Sequence, residues 1–231
     1  MAHLSIKLSS SVMAVRPRAY GVALRLLVLA LVLLVCATSA ALSAQAPACP
    51  TGVDPTASTP LKEPTATSGC ATKSSHGFPL PDPACTPGAI NATVTLEVLQ
   101  GGQFRTGCER NRKTTAAQKN STYAEYRVPH PQHNTGAGQS CELDHLVSLE
   151  LGGADSLDNI WPQCGPDAVA LAQRFFKIKD GVENYLAVQV RTGKIDLAVA
   201  QHGIAEDWTQ YVAAATAYWS HHSERGFGRD D

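Results

Sequence analysis

The chain has 231 residues, of which 19 are basic and 20 acidic, and its formal net charge at pH 7 is −1. This length suits one medium-sized domain with additional segments. The charge balance argues against a protein that binds nucleic acid through an overall positive charge. Only a local basic patch could supply that affinity.

The first 46 residues have the order of features found in a secretory signal peptide. Four basic residues and no acidic ones precede an uncharged apolar run from Leu26 to Ala37, and small residues follow up to Ala46. This order predicts an exported protein, secreted or periplasmic, that loses residues 1–46. The alternative is an uncleaved anchor, since residues 26–46 are about long enough to span a bilayer. We expect no membrane contact for the mature domain.

Export would change both the charge and the cysteine count. The mature chain keeps 15 of the 19 basic residues and all 20 acidic ones, for a net charge of about −5. Six cysteines remain, an even number that predicts disulfides in an oxidising compartment. Sequential pairing is the simplest arrangement and gives Cys49–Cys70, Cys85–Cys108 and Cys141–Cys164. A zinc site is less consistent with the sequence, because no two of these cysteines lie within four residues of each other.

The pattern along the chain predicts an α+β domain between polar flanks. Residues 47–84 are rich in Pro, Thr, Ser and Ala and indicate an extended linker. The domain is predicted over residues 85–219, followed by a polar tail over 220–231. Within the domain, residues 92–98 alternate as in a strand, and apolar spacing predicts a helix from Pro166-Asp167 to Gly193. Two further helices are predicted, over residues 196–203 and 205–219.

A segment of concentrated positive charge lies between residues 105 and 119. It holds five cations and only one acidic residue. Such a segment is a solvated surface in most proteins, but beside a catalytic site it would contact phosphates. The candidate nucleic-acid contacts are Arg110, Arg112 and Lys113, together with Lys179 farther along the chain.

The most informative stretch is residues 141–163, CELDHLVSLELGGADSLDNIWPQ. An apolar strand leads to Asp144-His145, a Gly152-Gly153 loop reverses the chain, and Asn159-Ile160-Trp161 returns as a second strand. A helix is predicted to cover the pair. The segment therefore predicts a strand–loop–strand–helix unit with Asp-His in the first strand and Asn fourteen residues after His145.

This unit resembles the core of HNH (ββα-metal) nucleases. The HNH domain of the RNA-guided CRISPR nuclease has Asp-His and then Asn after the same interval. A group of exported bacterial HNH-like proteins is more similar still, with DHL-P-LELGG and NLWP-P segments, and that likeness covers roughly residues 83–210. The resemblance implies a ββα-metal core with added C-terminal helices.

The resemblance also implies a reaction, phosphodiester hydrolysis of DNA or RNA. His145 would take a proton from the attacking water, and Asp144 would hold one divalent metal ion, Mg, Mn, Ni or Zn. Asn159 would brace the loop and orient His145 through a hydrogen bond. Both Asp144 and His145 can serve one site only if the strand ends or bulges there, because neighbours on a strand point to opposite faces.

The sequence departs from the family at the second metal ligand. The family places a His or Asn early in the covering helix, whereas residues 172–180 contain neither. Asp180 is the best substitute, with Gln173 or Asp167 behind it. A second hypothesis is therefore a degenerate HNH fold that serves as a non-catalytic binding or envelope-structural module. The sequence identifies no partner protein.

Overall fold

The computed structural model describes residues 48–222, which form an α+β unit, as predicted. The predicted signal peptide and residues 223–231 of the predicted tail lie outside this range. The strands are β1 (Thr59–Pro60), β2 (Lys73–Ser75), β3 (Phe78–Leu80), β4 (Ala89–Ile90), β5 (Cys141–His145) and β6 (Ile160–Cys164). The α-helices are α1 (Leu96–Gln100), α2 (Ala116–Glu125), α3 (Phe175–Arg191), α4 (Leu197–Asp207) and α5 (Val212–His221).

The strands form three two-stranded antiparallel sheets, β1 with β4, β2 with β3, and β5 with β6. In the β5–β6 pair, Cys141 lies opposite Cys164 and His145 lies opposite Ile160. The two strands predicted on either side of the Gly152-Gly153 loop are thus paired over five residues each. This pair carries Asp144 and His145 at the end of β5.

The described part of the predicted linker, residues 48–84, is packed onto the domain. Thr59 pairs with Ile90 across β1 and β4, and the ring of Phe78 lies 5.4 Å from that of Trp208. The Trp208 indole donates a hydrogen bond of 3.0 Å to the carbonyl of Pro79. These contacts are all long-range, so the Pro- and Ser-rich sequence gave no periodic signal for them.

The structure joins all six described cysteines in disulfides. The Cys141–Cys164 pairing is confirmed, since the antiparallel register places the two Cα atoms 4.0 Å apart. The other two sequential pairings are wrong: the bonds are Cys70–Cys85 and Cys49–Cys108. The reason is the β2–β3 hairpin, which reverses the chain between residues 70 and 85 and brings their Cα atoms within 6.0 Å.

The main core lies between α3, α4 and the loop after β5. Val182, Leu186 and Val190 of α3 are fully buried, as are Ile204 of α4 and Trp208. Each buried side chain of this size contributes roughly 1.5–3 kcal/mol relative to an exposed one. The core therefore fixes α3 firmly against the β5–β6 loop. Among residues 48–222, no helix has both the length and the apolar character needed to cross a bilayer.

Three predictions differ from the structure. The break between the last two helices follows Asp207 and not Gly203, because Gly203 lies inside α4, where the lack of a Cβ atom makes room for the side chain of Tyr211. The segment predicted as a strand over 92–98 contains helix α1, because the Thr95 side chain accepts from the amide of Val98 and caps a helix. Helix α3 begins at Phe175, well after Pro166, because the Phe175 amide bonds to the carbonyl of Gly165 and closes the intervening segment into a loop. Its end next to Gly193, which has φ 71°, agrees with the prediction.

Candidate active site at the end of β5

Asp144 and His145 are the last two residues of β5, and both are largely buried. As expected for neighbours on a strand, their side chains have different partners. His145 contacts the β5–β6 loop, which is in turn bonded to α2, whereas Asp144 contacts α3. The end of β5 therefore has two polar environments, which we call the His145 side and the Asp144 side.

On the His145 side, the imidazole is paired with Asp155 from the β5–β6 loop. Nε2 of His145 lies 2.8 Å from Oδ1 of Asp155. Lys119 of α2 donates to both oxygens of the same carboxylate, at 2.6 and 2.8 Å, and the amide of Asn111 donates to Oδ2 at 2.8 Å. Asp155 is therefore a fully bonded carboxylate that fixes the orientation of the imidazole.

The protonation states follow from these contacts. Burial alone would raise the pKa of Asp155, but hydrogen bonds from His145 and Lys119, together with the positive charge of Lys119, bring that pKa well below its ordinary value. An ionised carboxylate only accepts hydrogen bonds, so Nε2 of His145 must carry a proton. In a neutral imidazole, Nδ1 is then the nitrogen with a free lone pair.

His145 is neutral near pH 7. Burial lowers the pKa of the imidazole, and the positive charge of Arg110 lowers it further, while the hydrogen bond with Asp155 and its negative charge oppose both. The net pKa is below the ordinary value of 6.5. About a tenth of the side chain is exposed. A neutral, oriented and largely buried imidazole is suited to accept a proton from a group that reaches it.

Asn159 braces the β5–β6 loop from inside. Its amide group donates to the carbonyls of Val147 and Ala154, both at 2.9 Å. Its side-chain oxygen accepts from the amides of Val147 at 2.8 Å and Ala89 at 3.3 Å. Asn159 therefore makes the loop contacts that were predicted for it. The described contacts of its side chain do not include the predicted hydrogen bond to His145. Asp155 orients the imidazole instead.

The Gly-Gly sequence lets the loop fold this closely. A Cβ atom on Gly153 would lie 1.8 Å from the carbonyl oxygen of Val147, so only glycine fits there. Gly152 has φ 72°, a conformation that glycine adopts readily. This tight turn brings Asp155 back beside His145.

On the Asp144 side, the carboxylate is paired with a buried lysine. Nζ of Lys179 lies 2.9 Å from Oδ2 of Asp144, donates 2.7 Å to the carbonyl oxygen of His145, and is paired with the carboxylate of Glu183 one helical turn away. The lysine side chain is fully buried. Burial by itself lowers the pKa of a lysine, but Asp144 and Glu183 together raise that of Lys179 above its ordinary value. We call Asp144, Lys179 and Glu183 the Lys179 cluster.

Asp180, the predicted second metal ligand, is also engaged. Nζ of Lys177 lies 2.8 Å from its carboxylate and 3.5 Å from that of Glu142. Burial raises the pKa of Asp180, and the charge of Asp144 adds to this, while Lys177 opposes it. Burial likewise raises the pKa of Glu142 to about 7. The reserve candidates Asp167 and Gln173 are exposed and precede α3.

These contacts test whether the site suits the divalent ion that the resemblance implies. The two expected carboxylate ligands, Asp144 and Asp180, each bind a lysine ammonium. Within residues 48–222, no group of three or more His, Cys, Asp or Glu side chains is placed to hold a metal ion. The residues present do not fit the metal, and we derive no catalytic step through it.

The predicted nucleic-acid contacts fall into two groups. Arg110, Arg112 and Lys113 are exposed and lie in the segment that precedes α2. They adjoin the His145 side, since Asn111 donates to Asp155 and the charge of Arg110 acts on His145. Lys179, by contrast, is fully buried and cannot reach a phosphate. Its ammonium group instead forms ion pairs with Asp144 and Glu183 inside the protein.

Two further residues of the site, Asp155 and Glu109, were not singled out from the sequence. Asp155 has the contacts described above, and Glu109 is a fully buried carboxyl. Neither oxygen of Glu109 has a hydrogen-bond partner among the described residues. Burial, and then the charge of Asp155, raises the pKa of Glu109 to about 9. The sequence held one sign of the role of Asp155, which is its place directly after Gly-Gly-Ala. A tight reversal at the two glycines returns the next residues to the end of β5.

In comparisons with protein-family models, with curated proteins and with solved structures, the chain has no match.

Proposed function

We propose that the protein is an exported phosphodiesterase that cleaves nucleic acid, with an HNH-like unit formed by β5, β6 and α3 and with His145 as the general base. The observation that carries the proposal is the buried His145–Asp155 pair at 2.8 Å. It holds a neutral imidazole in one tautomer, which leaves Nδ1 to accept a proton. An Asp–His pair has this same orienting function in other hydrolytic enzymes.

The exposed cations beside this pair support a phosphate-containing substrate. Arg110, Arg112 and Lys113 would bind the phosphate backbone without reading its sequence. This local patch offsets the acidic net charge of the mature chain. The three disulfides are typical of proteins that fold in an oxidising compartment, which agrees with export by the predicted signal peptide.

The chemistry of the His145 side favours RNA over DNA. Nδ1 of His145 would take the proton from a 2′-hydroxyl, whose oxygen bonds to phosphorus while the bond from phosphorus to the 5′-oxygen breaks. The departing oxygen takes a proton from solvent. A 2′-hydroxyl is already held next to the phosphorus, and such intramolecular nucleophiles have very high effective concentrations. DNA lacks this group and would need water activated by the same base.

The second candidate is a non-catalytic binding or envelope-structural module. The pairing of Asp144 with Lys179 favours it, because this carboxylate would be the metal ligand of an HNH enzyme. The net charge of about −5 for the mature chain also favours it. In this hypothesis the fold keeps its shape through the Lys179 cluster and uses its surface alone.

A cleavage assay separates the two candidates. The exported, disulfide-bonded protein is incubated with labelled RNA and with plasmid DNA, in EDTA and in Mg, Mn, Ni or Zn. We expect RNA cleavage in EDTA, reduced roughly 100- to 10,000-fold in His145→Ala. The matched control is His130→Ala, which replaces an exposed histidine that contacts the ring of Tyr123. No cleavage under any condition, or an unchanged rate in His145→Ala, would contradict the proposal.

A further inference from the structure

The Lys179 ammonium is surrounded by the oxygen atoms that a metal cation would require. Its neighbours are the carboxylate of Asp144 at 2.9 Å, the carbonyl oxygen of His145 at 2.7 Å, and the carboxylate of Glu183. Two carboxylates and a backbone carbonyl are the ligand types that hard divalent ions such as calcium select. Here the positive charge at their centre belongs to the chain itself.

The charge also lies between two elements of the fold. Asp144 comes from the end of β5, and Lys179 and Glu183 come from successive turns of α3. The ammonium therefore bridges a strand end and a covering helix. Lys179 is fully buried and lies beside both carboxylates, so this contact is internal to the protein.

We propose that the Lys179 ammonium is a built-in substitute for a divalent cation, so that the native protein binds no divalent ion between β5 and α3. Removal of Lys179 would leave Asp144, Glu183 and the carbonyl of His145 as a vacant cation site. If the protein has the proposed function, cleavage by His145 should then be independent of added metal. Its test requires no catalytic activity, so the two can fail separately.

The geometry also predicts which ion the vacated site would prefer. The carbonyl oxygen of His145 lies 2.7 Å from Nζ of Lys179, and Oδ2 of Asp144 lies 2.9 Å from it. Calcium binds oxygen at about 2.3–2.6 Å, so a small contraction suffices. Magnesium requires about 2.0–2.1 Å and near-ideal octahedral geometry. Lys179→Ala should therefore bind calcium more tightly than magnesium, with a dissociation constant for calcium on the order of 10⁻⁴ to 10⁻³ M, as in extracellular calcium modules.

The experiment is a calcium titration of five exported, disulfide-bonded proteins by isothermal calorimetry, with thermal melting in calcium and in EDTA. The proteins are the parent, Lys179→Ala, Lys177→Ala, Asp144→Asn and the double variant Lys179→Ala/Glu183→Gln. Lys177→Ala is the matched control, because it removes a lysine from the same helix that pairs with Asp180 and Glu142 instead.

We expect one calcium site in Lys179→Ala and a melting temperature that rises with calcium. The parent and Lys177→Ala should show neither effect, and Glu183→Gln should abolish the gained site. If Lys179→Ala does not fold in EDTA, calcium should restore its folding. Calcium binding by the parent that is lost in Asp144→Asn would overturn the inference. So would a Lys179→Ala protein that neither binds calcium nor refolds in its presence.

Discussion

The two sides of β5 differ in how their charges are balanced. On the Asp144 side, the acids pair with lysines: Lys179 lies beside Asp144 and Glu183, and Lys177 lies beside Asp180. On the His145 side, the imidazole is oriented by Asp155 but keeps one nitrogen able to accept a proton. Of the two neighbours in the motif, Asp144 thus belongs to a buried ion cluster, whereas His145 keeps one imidazole nitrogen outside its pair with Asp155.

The largest stability effect should come from breaking the Lys179 cluster. Lys179→Met keeps most of the buried volume but leaves Asp144 and Glu183 as uncompensated buried acids. Loss of one partner from a buried ion pair typically costs about 3–5 kcal/mol. Lys177→Met, on the half-exposed pair with Asp180, should cost less than about 1 kcal/mol. Urea denaturation in EDTA measures both, and equal losses for the two variants would show that Lys179 has no special structural role.

An intermediate, pH-dependent effect should come from Glu109 on the His145 side. Burial raises its pKa to about 9, so between the ordinary carboxyl value and pH 9 the folded state keeps a proton that the unfolded state has released. The free energy of unfolding must then fall as pH rises through this window. Glu109→Gln does not titrate and should be more stable than the parent by about 1 kcal/mol or more at pH 8, with little difference at pH 4.

The control for this prediction is Glu97→Gln on the exposed face of α1. It should leave the pH dependence of unfolding unchanged. A Glu109→Gln protein whose stability differs from the parent by the same amount at pH 4 and pH 8 would show that folding does not raise the pKa of Glu109.

The smallest effect concerns the exposed cations beside His145. Replacing Arg110, Arg112 and Lys113 together with Gln should weaken nucleic-acid binding at every sequence tested. The slope of log affinity against log salt should flatten by about 0.7 to 0.9 for each lost phosphate contact. Lys62 and Lys73, which lie outside this segment, serve as control positions for charge removal. An unchanged salt slope would assign the segment to ordinary solvated surface.

The parts of the fold that were predictable follow from local pattern and register. The β5–β6 pair and Cys141–Cys164 were predictable because antiparallel strands that are joined by one loop begin and end side by side. The apolar spacing in α3 likewise marked its buried face. Asn159 was identified by its interval from His145, and the structure shows the loop-bracing role expected for it.

What could not be predicted depends on contacts between distant segments. Lysines are rarely fully buried, so the sequence favoured a surface role for Lys179, and only the packing of α3 against β5 shows otherwise. Asp155 lies in a loop, where no periodicity indicates the direction of a side chain. The attachment of residues 48–84 likewise depends on Cys70–Cys85 and on Phe78 packing against Trp208, which are specified by no local pattern.

The contrast between the two sides is tested most directly by the pH–rate profile of RNA cleavage, measured in EDTA and again in Mg, Mn and Ni. The account predicts an acid limb set by the imidazole, with an apparent pKa below 6.5 because burial lowers the pKa of His145. The base form is present above that pKa, so the rate should fall only as pH drops through it. The limb should hold the same position in EDTA and in every metal. A limb that moves with the identity of the ion, as the pKa of a metal-bound water does, would contradict the account, as would cleavage that requires a metal.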